Sequence, residues 1–203
     1  TYAANTKSSA CAICPAGKFS IAGSSSCKTC DSGTYALAGS SYCKTCEAGT
    51  YSLAESSVCT TCQGGKFSLP QSSTCSTCLA GTYSLAKASS CTSCPAGQYQ
   101  PSAGKGSCLT CPAGKYSGMS GATDCKSCVA GEYAYKGSNS CSSCPNGKYS
   151  TIQSLLTGTG TCLSCTTGSV SRQKSTSCNI CTMGTYANKL QSECVKCPSG
   201  SYT

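Results

Sequence analysis

Hydrophobic and polar positions in this chain recur on a period of about 16 residues, well beyond the two- and 3.6-residue periods of a strand or a helix. In each early period an aromatic residue is followed two places on by an aliphatic one: Phe19 and Ile21, Tyr35 and Leu37, Tyr51 and Leu53, Phe67 and Leu69, Tyr83 and Leu85. A spacing of two puts both side chains on one face of an extended segment, so each period predicts a single strand or a small hairpin. The pattern loosens later, where Val170 replaces the aromatic and Pro101, Gly118 and Arg172 occupy the aliphatic position. No run shows helical periodicity long enough to predict a helix.

A glycine stands two residues before each aromatic position, from Gly17 to Gly200. Several repeats read Cys-Pro-x-Gly, at Pro15, Pro95, Pro112, Pro145 and Pro198, which predicts a type I turn with proline second and glycine fourth. Serine clusters follow each strand and read as loops. With about three residues in ten being Ser or Thr, the composition also permits O-glycosylation. The candidates are Ser24, Ser25, Ser40, Ser41, Ser56, Ser57, Ser72, Ser73, Ser89 and Ser90.

All 24 cysteines of the 203 residues fall in twelve Cys-x-x-Cys pairs spaced by 16 or 17 residues, with one interval of 21 between Cys141 and Cys162. This exceeds the roughly 8–10% that marks a disulfide scaffold, in which cross-links replace an apolar core. An extracellular or cell-surface compartment follows. One pairing scheme is a ladder joining the second cysteine of each pair to the first of the next. It links Cys14 with Cys27, Cys30 with Cys43, Cys46 with Cys59, Cys62 with Cys75, Cys78 with Cys91 and Cys94 with Cys108. It continues through Cys111 with Cys125, Cys128 with Cys141, Cys144 with Cys162, Cys165 with Cys178 and Cys181 with Cys194. Each bond closes a loop of about 14 residues, worth roughly 3 kcal/mol. Burial of one aromatic and one aliphatic per repeat gives roughly 2–5 kcal/mol before ordering costs. The ladder leaves Cys11 and Cys197 for bonds to adjacent repeats of a longer array or to neighbouring subunits. A second scheme joins Cys11 to Cys27 and Cys14 to Cys30 in six two-repeat modules with no thiol left over, and the sequence does not exclude it. Zinc is a third use of the same spacing, but the even rhythm lacks the grouping into fours of zinc modules.

The charge is +9, with lysines recurring in phase at Lys18, Lys66, Lys115 and Lys148, and at Lys28, Lys44 and Lys126. Such stripes are either a solvated face or an attraction for acidic polysaccharide. With Arg172 the single arginine, nucleic-acid binding is not expected. There is no histidine, and the six acids are scattered over different repeat positions, so no enzyme activity and no cofactor or metal are expected. No apolar run is long enough to cross a membrane.

The run Cys-Pro-Ala-Gly-Lys-Phe/Tyr-Ser followed by Cys-x-x-Cys, at Cys14 to Cys30 and Cys111 to Cys128, resembles the ephrin-receptor-like cysteine-rich repeats. More distantly it resembles the first submodule of tumour necrosis factor receptor cysteine-rich domains. The resemblance covers the whole chain. It implies that the cysteine before the turn bonds the next cysteine downstream, Cys14 with Cys27. The interleaved cysteines of the receptors' second submodule are missing here, so no ligand-binding residue carries over. Long uniform arrays in surface and extracellular proteins of protists and algae are the closer likeness.

The expected fold is therefore small, disulfide-rich and mostly β or irregular: an elongated, solenoid-like rod of about twelve 16–17-residue repeats, each touching mainly its neighbours. It forms one continuous array over residues 1–203 that begins and ends within a repeat. The leading functional expectation is a structural extracellular protein, a subunit or segment of a filament, stalk or surface coat. Its partner would be itself, head to tail or laterally, with glycans or acidic polysaccharide second. The alternative is a receptor or adhesin ectodomain for a protein or glycan ligand. One loop, residues 145–161, is five residues longer than usual and carries Leu155 and Leu156, candidates for an assembly contact.

Overall fold

The computed structural model describes residues 11–156 and 160–202. They divide into two compact units, Thr1–Ser93 with Ser102–Cys108 and Cys94–Pro101 with Leu109–Thr203, and both are assembled in the same way.

In each described repeat but the last, the two residues after the turn glycine form one strand and the two residues inside the next Cys-x-x-Cys pair form its partner; in the last, Thr185–Ala187 pairs with Cys194–Lys196. In the first unit Lys18 lies opposite Thr29 and Phe19 opposite Lys28, and Tyr35 lies opposite Lys44. In the second unit Lys115 lies opposite Ser127 and Tyr116 opposite Lys126. Every sheet among the described residues is such a two-stranded antiparallel hairpin. Hairpins this short are not stable alone in water. Bonds to the following repeats hold them: Gly33 N donates to Ser52 O at 2.8 Å, and Glu55 N to Cys30 O at 2.9 Å, each one repeat away.

The stacking also reaches one repeat further than the sequence led us to expect. A β-carbon on Gly17 would overlap the carbonyl oxygen of Glu55, and one on Gly33 would overlap that of Gln71, each two repeats on. The second unit repeats the contact between Gly97 and Gly137 and between Gly131 and Lys174. Only a residue without a side chain lets these backbones meet, and its α-hydrogen then points at the carbonyl, a weak C–H···O contact.

The turn sits one residue later than predicted. Lys18 N donates to Pro15 O at 3.2 Å, so proline is first and Gly17, with φ of 81°, is third. A positive φ at the third residue alone is the type II geometry, and it explains why glycine recurs there. A second turn of the same kind follows the first strand in several repeats: Ser40 N donates to Leu37 O at 3.2 Å, with Gly39 at φ 76°. In three consecutive repeats that third position is Glu55, Gln71 or Lys87, all at φ near 60°.

The interior also differs from the predicted one. The structure buries the residue between the aromatic and the aliphatic: Ser20, Ala36, Ser52, Ser68 and Ser84 in the first unit, and Gln100, Ser117, Ala134, Ser150 and Ser171 in the second. Beside them lie the second cysteines of the pairs, from Cys14 to Cys165. The aliphatics Ile21, Leu37, Leu53, Leu69 and Leu85 are 60–69% exposed. The reason is local. The strand ends after two residues, and the aliphatic is already the first residue of the second turn, so pleat alternation no longer governs where it points.

The longer loop contains one helical turn, Ile152–Leu156, which no periodicity announced. Thr151 and Ser154 bond reciprocally: Thr151 N donates to Ser154 Oγ at 3.0 Å and Ser154 N to Thr151 Oγ1 at 3.1 Å. This is a capping box with serine in place of the usual acid or amide. The side chains of Leu155 and Leu156, the proposed assembly contact, lie outside the described residues.

Candidate functional site

The feature repeated most faithfully is the joint between repeats, and the Cys-x-x-Cys pair lies at its centre. Its two middle residues are a strand, so its two cysteines leave the strand at opposite ends and cannot close on each other. In the first unit Cys14 bonds Cys27, Cys30 bonds Cys43, Cys46 bonds Cys59, Cys62 bonds Cys75 and Cys78 bonds Cys91. In the second unit Cys111 bonds Cys125, Cys128 bonds Cys141, Cys144 bonds Cys162, Cys165 bonds Cys178 and Cys181 bonds Cys194. Cys94 and Cys108 are oxidised as well. Cα–Cα distances run from 5.6 to 5.8 Å, even across the longer loop closed by Cys144 and Cys162. Neither the Cys11–Cys27 nor the Cys14–Cys30 link of the modular scheme forms. Cystine sulfur carries no thiolate, so the zinc alternative finds no ligands in these bonds. Cys11 is an exposed free thiol and Cys197 a partly covered one.

A second ladder, of serines, runs beside the sulfurs. Ser52 Oγ donates to Thr34 O at 2.9 Å, Ser68 Oγ to Thr50 O at 2.9 Å and Ser84 Oγ to Lys66 O at 3.0 Å. In the second unit Ser150 Oγ donates to Glu132 O at 2.7 Å and Ser171 Oγ to Lys148 O at 2.9 Å. A carbonyl that enters the interior needs a donor, and serine supplies one while staying small enough for close backbone approach. The sequence showed this serine in the repeat motif but gave no sign that it faced inward.

Two ion pairs occupy equivalent places with the charges exchanged. Lys18, just after Gly17, lies 3.9 Å from Glu55, and Glu132, just after Gly131, lies 2.9 Å from Lys174. Both reach to the second repeat on and reinforce the glycine contact there. The other acids are spread apart: Asp124 Oδ1 accepts from Cys125 N at 2.8 Å, and Glu193 Oε1 accepts from Asn188 at 3.5 Å.

Beside four of the joints lies a shallow cleft floored by the half-buried aromatic. In the first unit Tyr35, Lys44, Thr45, Glu47, Thr50 and Cys59 line one, and Tyr51, Thr60, Thr61, Gln63, Lys66 and Cys75 line its equivalent in the next repeat. Phe67, Ser76, Thr77, Leu79, Thr82 and Cys91 line a third. In the second unit Tyr149, Ser164, Thr166, Ser169 and Cys178 form the same cleft.

The serine clusters divide into two kinds. Ser40, Ser56 and Ser72 turn their hydroxyls onto Leu37 O, Leu53 O and Leu69 O, each at 2.7 Å, and so belong to the second turn. Ser25, Ser41, Ser57, Ser73, Ser89 and Ser90 are exposed, whereas Ser24 is half-buried.

Residues 81–128 match the family model described as tyrosine-protein kinase ephrin type A/B receptor-like. That segment holds two Cys-Pro-Ala-Gly turns and the glycine, aromatic and cysteine positions that recur throughout. Residues 81–128 are thus similar to the ephrin-receptor-like cysteine-rich repeats, and the same disulfide pattern recurs through both units. A search of curated proteins returned no match. These repeats form an extracellular-type, disulfide-rich domain, and no helix among the described residues is long and apolar enough to cross a membrane.

Proposed function

We propose that these ephrin-receptor-like repeats form a structural subunit of an extracellular filament, stalk or coat, with no catalytic role, and that the subunit's main partner is further copies of itself. The observation that carries this reading is uniformity. The same disulfide, the same serine bond and the same glycine contact recur through both units, so no repeat is set apart as a centre of chemistry. Free thiols at Cys11 and Cys197 supply the means for head-to-tail linkage. Two thiols joined as a disulfide release two electrons and two protons to the oxidant of the secretory compartment. Electron microscopy of native material under oxidising conditions, with and without reductant, is the test. Filaments that disperse on reduction are the expected result, and single dispersed chains in both conditions would contradict the proposal.

One observation favours a second reading, a receptor or adhesin ectodomain. The recurring clefts combine an aromatic floor with hydroxyls and, in two cases, a lysine, a mixture suited to glycans. Saturable binding of a defined neutral or acidic oligosaccharide, lost in Tyr35→Ala and Tyr51→Ala, would favour it.

A further inference from the structure

Five successive repeats of the first unit leave Ile21, Leu37, Leu53, Leu69 and Leu85 60–69% exposed, in a chain whose interior is sulfur and serine. These residues open turns that are bonded one to the next: Ala36 N donates to Ser56 O at 3.2 Å, Ser52 N to Ser72 O at 3.3 Å and Ser68 N to Ala88 O at 3.3 Å. They therefore form one stripe along adjacent turns, and a small apolar residue, alanine or proline, follows each of them and is exposed as well. At the corresponding positions the second unit has Pro101, Gly118, Tyr135, Thr151, Arg172 and Asn188, where only the isolated Tyr135 is a large exposed apolar residue, so the continuous aliphatic stripe belongs to one unit.

We propose that this stripe is the contact surface for a second copy of the chain, packed antiparallel about a two-fold axis at Leu53. The inference rests on the reading of the chain as an assembly subunit and names the surface through which copies meet side by side.

Three observations select a second copy as the occupant. The first is area. Five branched side chains about two-thirds open expose on the order of 600 Å² per copy, and two stripes closing on each other bury about 1,200 Å², the lower bound of a specific interface. A patch of that size is at the upper end of what monomers leave bare. The second is period. A copy carries the same spacing, so Leu37 meets Leu69 and Ile21 meets Leu85 across the axis, whereas another partner would have to match a 16-residue rhythm. The third is charge. Glu55, next to the axis, is held by Lys18 at 3.9 Å, and the antiparallel arrangement keeps the two Lys87 side chains at opposite ends.

The full chain carrying Cys11→Ser and Cys197→Ser, which cannot link head to tail, is the material for the test. Sedimentation equilibrium should give a dimer. Adding Leu37→Lys, Leu53→Lys and Leu69→Lys should weaken it at least 100-fold, and Leu53→Lys alone at least tenfold. Tyr135→Lys, at the same repeat position of the second unit, should leave it unchanged. Peptide mapping of the Cys30–Cys43, Cys46–Cys59 and Cys62–Cys75 bonds confirms that each variant is folded. A parent that stays monomeric up to about 1 mM overturns the stripe, because that leaves at most about 4 kcal/mol of binding. Lysine variants that dimerise as tightly as the parent also overturn it. So does a monomer that binds phosphatidylcholine vesicles through the same leucines, which would assign the surface to lipid. Absence of filaments in native material, with this dimer intact, would overturn the filament reading and leave the stripe standing.

Discussion

The α-carbon of Gly33 faces the carbonyl of Gln71 from two repeats away, so closely that a β-carbon would overlap its oxygen. Around Gln71 three repeats meet: its amide donates to Cys46 O at 2.9 Å while its carbonyl covers Gly33. Stability here is coupled over three repeats, beyond the nearest-neighbour coupling of the simplest repeat proteins.

Gly33→Ala should therefore cost more than the same change at a glycine where an added β-carbon would meet nothing. Gly184 has the same φ of about 80°, and a β-carbon added there would have nothing within 4 Å. Gly184→Ala carries only the backbone strain of a left-handed residue, about 1–2 kcal/mol. Gly33→Ala should exceed it by at least about 2 kcal/mol, because a backbone carbonyl must move. Hydrogen exchange at the Cys46 and Glu55 amides is the readout.

The left-handed position of the second turn gives a change of opposite sign. Gln71 sits at φ 61° where equivalent repeats have glycine. Gln71→Gly should stabilise the first unit by about 0.5–1 kcal/mol, the relief of strain less the added freedom of the unfolded chain. A drop in stability would mean that the Gln71 side chain contributes something beyond this turn.

Ser68 is buried, and its hydroxyl satisfies Thr50 O in the preceding repeat. Ser68→Ala should cost about 1–2 kcal/mol for a lost bond to a buried carbonyl. Ser68→Leu should cost more, since the space is set by backbone approach. Ser73→Ala, at an exposed hydroxyl five residues on in the same repeat, should leave thermal unfolding unchanged.

Removing one rung, with Cys46→Ser and Cys59→Ser together, should cost about 3 kcal/mol by loop closure. The loss should be local, loosening Tyr51 and its hairpin while the Cys14–Cys27 bond stays intact. Limited proteolysis reads this out: cleavage confined to residues 47–58 fits, and cleavage throughout the unit does not.

The exposed serines carry the last expectation. If the chain is glycosylated when secreted, sugars should fall on Ser41, Ser57 and Ser73 and spare Ser40, Ser56 and Ser72, whose hydroxyls are engaged in turns. Site mapping by mass spectrometry distinguishes the two sets.

How far these features were legible in the sequence follows from their range. The period, the hairpin and the glycine turn are local, and Cys14-Pro15-Ala16-Gly17 announces them. Pro-x-Gly by itself leaves the start of the turn open by one residue, because it satisfies a type I and a type II turn alike, and only the φ of Gly17 separates them. Alternation points Leu37 inward, but alternation holds only while a strand lasts, and this one ends at Tyr35. The inward serine and the approach of Gly33 to Gln71 depend on how repeats stack, which no single period encodes. The helix at Ile152–Leu156 is invisible in the sequence for a different reason: five residues are too few to show a helical period.

The rungs also set how far the chain can be pulled. Under load along the backbone, force entering Cys30 passes through sulfur to Cys43, 5.7 Å away, and bypasses the residues between them. Each repeat then contributes only that step and the three peptide links to Cys46, about 16 Å, where a reduced repeat would pay out roughly 55 Å. An oxidised array is thus a tether of nearly fixed length, and reduction should lengthen it about threefold at constant force, with no change in its sequence or in the number of repeats.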